Sequence, residues 1–373
     1  MSVLRIFKLT NCDTRMNPII KIISLNFVII LWFSGLLSAQ ITKEEYRTQL
    51  EAYQKASNEG LPVFFDKSQP ADKRVAAIKN IEIFQDKEQV KRCLDIVKDG
   101  SQPDAVRAAA IFKVRHHIHH KDELRNQALQ WVEKPYTPPK LRQASMDVMQ
   151  MFVFKTQTPE DKRQEALDVF RRVATTDSQA KFRERAMYIL TNYGDPEARR
   201  ILGNGLRNPS EAVIAPNKAI NLLAGIIDDS EYYYTLIQDV LNNPPSEAAQ
   251  IEAIRALGNY EPARDDILKI LENKSGSTSS RVTALTSLNA SIGDSFFDLV
   301  KPVILDEDAP EELRIRGLQA QMYRELEWEI KSPSILPAPS PAFNKVIEKV
   351  KDSPSENVRK TARQCAKKLR KQD

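Results

Sequence analysis

The chain has 373 residues, 42% apolar and 28% charged, a balance typical of soluble folded proteins. Its formal charge of +5 includes +3 from Arg5, Lys8, Arg15 and Lys21 against Asp13 in the first 39 residues, leaving +2 elsewhere. A remainder so near neutrality gives no global electrostatic basis for binding nucleic acid, and that class of partner is set aside.

Residues 1–39 read as a secretory signal peptide. Lys21 is followed by no charged residue until Lys43, Phe27 to Leu37 is nearly all apolar, and Leu37-Ser38-Ala39 offers a small residue for cleavage before Gln40. Met16 is an alternative start. The expectation is export, periplasmic or secreted, after cleavage near Ala39. The uncharged stretch of 21 residues is also long enough to span a bilayer. N-terminal anchoring is therefore the alternative, and a membrane is expected as a partner only if the leader stays.

Residues 40–66 are predicted as an N-terminal helical cap, and beyond them one pattern returns nine times. Its anchors are Arg74, Arg107, Arg142, Arg183, Pro216, Gln250, Arg281, Arg314 and Arg359. Three places after each stands a small residue: Ala77, Ala110, Ser145, Ala186, Ala219, Ala253, Ala284, Gly317 and Ala362. One place further stands an apolar residue in every repeat except the last, which has Arg363. The anchors are 31 to 45 residues apart, a period that signals a stacked array of helix pairs. Each anchor opens an amphipathic helix with apolar residues at the fourth, seventh and tenth or eleventh places, as in Met187, Leu190 and Tyr193. A second helix precedes each anchor, as over Gln89–Lys98, Glu123–Val132 and Asp265–Leu271. The turns between them carry proline and capping residues, as in Asn208-Pro209-Ser210-Glu211, Asn243-Pro244-Pro245-Ser246-Glu247 and Asp352-Ser353-Pro354-Ser355-Glu356. This predicts repeats over 67–330, a proline-rich insertion over 331–342 and a capping repeat over 343–373.

A cation in the first turn of a helix opposes the macrodipole, so the seven anchor arginines call for compensation. Each has an acid six to nine residues upstream: Asp66, Asp99, Glu133, Asp177, Glu272, Asp306 and Asp352. The expectation is a structural ladder of arginine–carboxylate pairs along the stacked turns. Cys93 and Cys365 lie in the first and last repeats, too far apart to bond within one such array.

The run Val106-Arg107-Ala108-Ala109-Ala110-Ile111, preceded by Asp99 and Pro103, resembles the second helix of a HEAT repeat. Val358-Arg359, Leu313-Arg314 and Ala256-Leu257-Gly258 resemble parts of the same motif over roughly residues 60–370. The resemblance implies an all-α fold, a right-handed α-α superhelix of about nine helix pairs with the anchor helices on its concave side. It also implies scaffold or adaptor work without catalysis or cofactor, recognising a protein partner along the solenoid. A few members of the family are enzymes, such as HEAT-like DNA glycosylases, bilin lyases and deoxyhypusine hydroxylases. An export signal fits none of the intracellular substrates of the first two. The third group holds iron through His-Glu pairs, and no histidine here precedes glutamate.

Three places invite a site. His116-His117-Ile118-His119-His120 holds all four histidines, and on a helix His116 and His120 would share a face and suit a metal such as zinc. His117, at the tenth place after its anchor, is expected to pack in the core. Tyr232-Tyr233-Tyr234 should turn one ring inward, Tyr233 or Tyr234, and expose the others for binding. Trp328, near Tyr323 and the insertion, is a further candidate. The basic stripe Arg359, Lys360, Arg363, Lys367, Lys368, Arg370 and Lys371 reads as the polar outer face of a capping repeat. No nucleophile elbow, Walker loop, zinc-protease or paired-cysteine motif is present.

Overall fold

A computed structural model describes residues 43–81, 84, 86–225, 231–331 and 340–370. The leader, with Met16, and residues 332–339 of the insertion lie outside the described residues. The described residues form eighteen α-helices and no strand. No helix among them is long and apolar enough to cross a membrane. They fall into two compact units, the first ending at Val106 and the second beginning at Arg107.

In the first unit, α1 (Lys43–Phe65) packs on α2 (Ala71–Ala77), and α3 (Lys87–Lys98) follows. Gly60 permits the closeness of α1 and α2: a Cβ there would stand 2.0 Å from the Ala77 carbonyl oxygen. Phe64, Ile78, Ile81 and Phe84 are fully enclosed, with the Phe64 and Phe84 rings 6.2 Å apart. Asp86 caps α3 by accepting from the amides of Glu88 and Gln89.

The second unit takes in most of α4 (Asp104–Lys113), followed by α5 (Asp122–Glu133), α6 (Pro139–Phe154), α7 (Glu160–Thr176) and α8 (Ala180–Tyr193). After these come α9 (Pro196–Arg207), α10 (Pro216–Ala224), α11 (Glu231–Asn242), α12 (Glu247–Leu257) and α13 (Arg264–Glu272). The unit ends with α14 (Thr278–Ser291), α15 (Phe296–Leu305), α16 (Glu311–Lys331), α17 (Pro341–Val350) and α18 (Glu356–Arg370). From α5 onward each odd-numbered helix packs on the even-numbered one that follows. The even-numbered helices are those opened by the anchors, and from α6 to α18 each packs on the next. The small column is enclosed within the stack, and at Gly317 it faces the paired odd-numbered helix α15. Ser145, Ala186, Ala219, Ala253, Ala284 and Ala362 are all buried, where a larger side chain would hold the neighbour away. At Gly317 the fit is closest, since a Cβ would stand 2.8 Å from Val300 Cγ2 and 2.9 Å from Ile304 Cγ1. The apolar column beside it, Met146, Met187, Ile220, Ile254, Leu285 and Leu318, is enclosed as expected. Each such side chain contributes about 1.5–3 kcal/mol by leaving water.

Helix ends follow local chemistry. Ser246 caps α12 through the Ala249 amide, and Ser355 accepts from Val358 at the start of α18. Pro216 stands at the first position of α10, where its missing amide costs nothing. Ser210 differs from the expected cap: Pro209–Glu211 forms a short 3-10 turn and α10 starts only at Pro216. Gly194 takes φ +90° to end α8, and Asp195 then caps α9 through Ala198.

The anchor arginines answer the dipole problem differently from the predicted ladder. In Arg74, Arg142, Arg281 and Arg314 the Nε donates to the carbonyl ten residues back: Phe64, Val132, Leu271 and Ile304, at 2.8–3.0 Å. That carbonyl lies at the end of the preceding helix, where oxygens lack intrahelical donors and positive charge is welcome. Arg359 instead donates Nη1 to the turn carbonyls of Ser353 and Pro354, and Arg183 donates to Asp177 O and Val213 O. Arg107 lays its guanidinium over the Trp131 ring at 4.9 Å. Gln250, standing in for arginine, reaches toward Leu241 O at 3.5 Å.

The upstream acids serve the turn itself and the neighbouring turn. Asp66, Asp99, Asp177 and Asp306 each accept from the amide two residues on, a local bond that fixes the bend. Asp99, Asp177 and Asp306 also take a cation from the turn or anchor one repeat earlier: Lys67, Arg142 and Lys274. Glu133, which the sequence paired with Arg142, instead accepts from Arg172 on α7. The expected ladder is therefore not formed: among these pairs only Arg142–Asp177 joins an anchor arginine to one of the upstream acids, and it spans one repeat. The anchors span the turn through backbone oxygens because a carboxylate at a helix end already has nearer amides to hold.

Candidate interaction surface

The helices α6 and α8 present a joint solvent-exposed face. Residues 143, 147, 150, 151 and 154 of α6 share one side of that helix, as do 181, 185, 188 and 192 of α8. Arg185 bridges the two helices by donating to Asp147 Oδ1 at 2.7 Å and to Gln150 Oε1 at 2.6 Å. Its guanidinium also lies 5.1 Å from the Tyr188 ring centre. Around this bridge Met151, Phe154 and Tyr188 leave 36–42% of their surface to solvent. Phe154 meets Tyr193 edge to face at 6.1 Å, which holds its ring in place. Arg185 and Asp147 neutralise each other, so the face is aromatic and sulfur-bearing with little net charge. Such a mixture of Met, aromatic rings and a held arginine is the composition enriched at protein interfaces.

The histidine run lies elsewhere and is built differently from its expected helix. Helix α4 stops at Lys113, a 3-10 turn covers Arg115–His117, and a further turn runs through His120. His116 and His120 therefore do not share a helical face. Ile118, fully enclosed, takes the core position expected of His117, which is half-buried. The early stop shifts the register by one residue and lets Val114 and Ile118 both point inward. His119 stacks on Phe152 at 5.0 Å, with Nδ1 3.3 Å from the Thr158 hydroxyl. Thr158 in turn donates to Phe152 O at 2.6 Å. Partial burial, then the cations Arg115 and Lys155, lower the His116 pKa, although its side chain remains exposed to solvent. Burial and Lys155 bring His119 to about 4. Both imidazoles are neutral at pH 7. Among the described residues no group of three or more His, Cys, Asp or Glu is arranged to hold a metal ion.

The tyrosine run splits. Tyr232 is 46% exposed with Arg207 over its ring at 4.9 Å, and it meets Tyr233 edge to face at 5.0 Å. Tyr233 is half-buried near Gly203, and burial raises its hydroxyl pKa. Tyr234 is half-buried as well, where only one inward ring was expected, and it stacks flat on Tyr260 at 4.1 Å. Tyr232 and Tyr234 consequently form no common surface. The side chain of Trp328 lies outside the described residues. Its neighbour Tyr323 is 55% exposed, with Lys368 Nζ 5.4 Å from the ring centre. Cys93 and Cys365 are free, buried thiols, and burial pushes the Cys365 thiol up to about 11.

The face of α6 and α8 was not singled out from sequence, although a signal for it exists. Tyr188 stands five places after Arg183 and Met151 nine places after Arg142, on columns outside the buried stripe. Reading only the periodic core leaves those columns unexamined. Comparisons with family models and with curated proteins gave no match to this chain.

Proposed function

We propose that this protein is a non-catalytic binding protein that recognises a protein partner through the solvent-exposed face of α6 and α8. The observation that supports this is the exposure of Met151, Phe154 and Tyr188 around the Arg185–Asp147 bridge on two helices locked side by side. Rigid aromatic groups on a fixed scaffold lose little entropy when a partner covers them. In the same reading the paired helices of the second unit coil as a right-handed superhelix of the HEAT-repeat kind. The leader exports the chain, so the partner is met in the periplasm or outside the cell.

The test is crosslinked affinity capture of the tagged protein from envelope and secreted fractions of its native cells, alongside a Met151→Ala/Tyr188→Ala variant. A stoichiometric partner should be captured by the native chain and reduced at least about tenfold by the variant, in keeping with losses at interface hot spots. Equal capture by both proteins sinks the assignment to this face. Sequencing the mature N-terminus from those fractions checks export, with Gln40 as the expected first residue.

A further inference from the structure

Helix α18 departs from every other anchor helix in charge. Residues Glu356–Arg370 contain six basic side chains and one acid, so this helix carries as much net positive charge as the whole chain. The cations are ordered. Lys360, Arg363 and Lys367 recur at helical spacing on one side and are all exposed. On the opposite side Val358, Ala362, Cys365 and Leu369 are buried, and Cys365 Sγ lies 3.9 Å from the Leu318 carbonyl of α16. In α16 the places equivalent to the three cations hold Ile315, Leu318 and Met322, the last two enclosed. The three cations show no hydrogen bond or ion pair with any described residue. Tyr323 lies at the edge of the face under Lys368.

A solvent-facing cap needs polarity, which mixed charges provide with less self-repulsion. A single sign at three places that are apolar in the preceding repeat makes a different surface. Another repeat of the same kind could not stack there without stripping water from three cations that have no counter-charge among the described residues, which is unfavourable. We propose that this face of α18 docks an acidic peptide segment of a partner protein, whose carboxylates meet Lys360, Arg363 and Lys367 and whose apolar residue rests on Tyr323. Charge complementarity selects the occupant. A bilayer fits less well. A helix that lies in a membrane surface gives its apolar side to the lipid, and that side of α18 is already spent on its neighbours. This docking site is separate from the face of α6 and α8 and does not depend on it.

The experiment uses the full chain and a fluorescein-labelled peptide rich in Glu and Asp with interspersed Phe, read by fluorescence anisotropy. The same peptide with Lys for its acids is the control, and phosphatidylglycerol vesicles are offered in parallel by cosedimentation. Two variants are compared, K360E/R363E/K367E and the neutral K360Q/R363Q/K367Q, each verified by circular dichroism. The acidic peptide should bind the native chain, weaken as salt rises, and lose at least about tenfold with the Glu variant and less with the Gln variant. Equal affinity in the Glu variant overturns the proposal. So does binding to the vesicles without binding to the acidic peptide. Unchanged capture by the Met151→Ala/Tyr188→Ala variant would leave this result standing, since the two faces are read separately.

Discussion

Asp177, at the turn between α7 and α8, and Asp306, at the turn between α15 and α16, hold the same place in the repeat. Each accepts the amide two residues on, and each receives a cation from one repeat earlier. Their surroundings are opposite. The side chains of Arg142 and Asp177 are 0% and 2% exposed, while Lys274 and Asp306 are 72% and 24% exposed. The turn geometry is common to both, so the backbone bond from the carboxylate sets it and the cation does not. The ion pair adds register, and its energetic weight depends on how much water it excludes.

The largest expected effect breaks the sealed member of this pair. Asp177→Asn keeps an oxygen for the Gln179 amide but leaves Arg142 buried beside a neutral group. Uncompensated charges of that kind cost about 3–5 kcal/mol, which urea denaturation will resolve. Asp306→Asn should leave the urea curve close to the native one, because the open pair is weakened by solvent. Similar losses in both variants would show that burial does not separate the two turns.

Packing beside the open turn is nonetheless tight. Gly317→Ala places a methyl against the branched side chains of Val300 and Ile304. Overpacking costs about 1–3 kcal/mol, offset by up to about 1 kcal/mol from the better helix propensity of alanine. A net loss of about 1–2 kcal/mol in thermal or urea unfolding is expected. A gain in stability would mean that α16 sits less closely on α15 than the structure has it.

Acid should separate the regions with the smallest effects. Folding lowers His119, half-buried against Phe152, from 6.5 to about 4, so it favours the neutral form. Its contribution is complete above pH 6.5 and is lost as pH falls toward 4. Asp266 is held near 2 by bonds from Lys269, Gln238 and Asn242, so its contribution is present above its ordinary value of 3.8 and fades as pH falls to about 2. Thermal unfolding from pH 7 to pH 4 should decline, and His119→Gln should flatten part of that decline. An unchanged slope in His119→Gln would remove this histidine from the account.

Much of the helix layout was readable from residues alone. The small and apolar columns mark the buried side of the even-numbered helices, because burial there depends on side-chain volume and polarity, which sequence displays directly. The helices expected over Gln89–Lys98, Glu123–Val132 and Asp265–Leu271 appear as α3, α5 and α13 with ends moved by one or two residues. The arginine partners were not readable, because backbone carbonyls carry no mark in sequence and compete with the visible acids. The early end of α4 was hidden for a related reason: nothing in Val114-Arg115-His116-His117 signals a break as glycine or proline would. That both Tyr233 and Tyr234 would be half-buried was not readable, because the ring on which Tyr234 stacks, Tyr260, is far along the chain. The face of α6 and α8 was visible only as scattered residues until Arg185 joined the two helices.

The Nε-to-carbonyl bond has a consequence for how such a chain can vary in length. From Phe64 to Arg74, Val132 to Arg142, Leu271 to Arg281 and Ile304 to Arg314 the separation is always ten residues. A guanidinium has a fixed reach, so it acts as a ruler laid across each of these bends, and one inserted residue would carry the oxygen away from it. The connection from α16 to α17 has no such gauge. There Glu325 accepts from the amide and hydroxyl of Ser340, fifteen residues later, and no arginine spans the interval. An insertion at one of the four gauged bends therefore costs a hydrogen bond that an insertion between Glu325 and Ser340 does not.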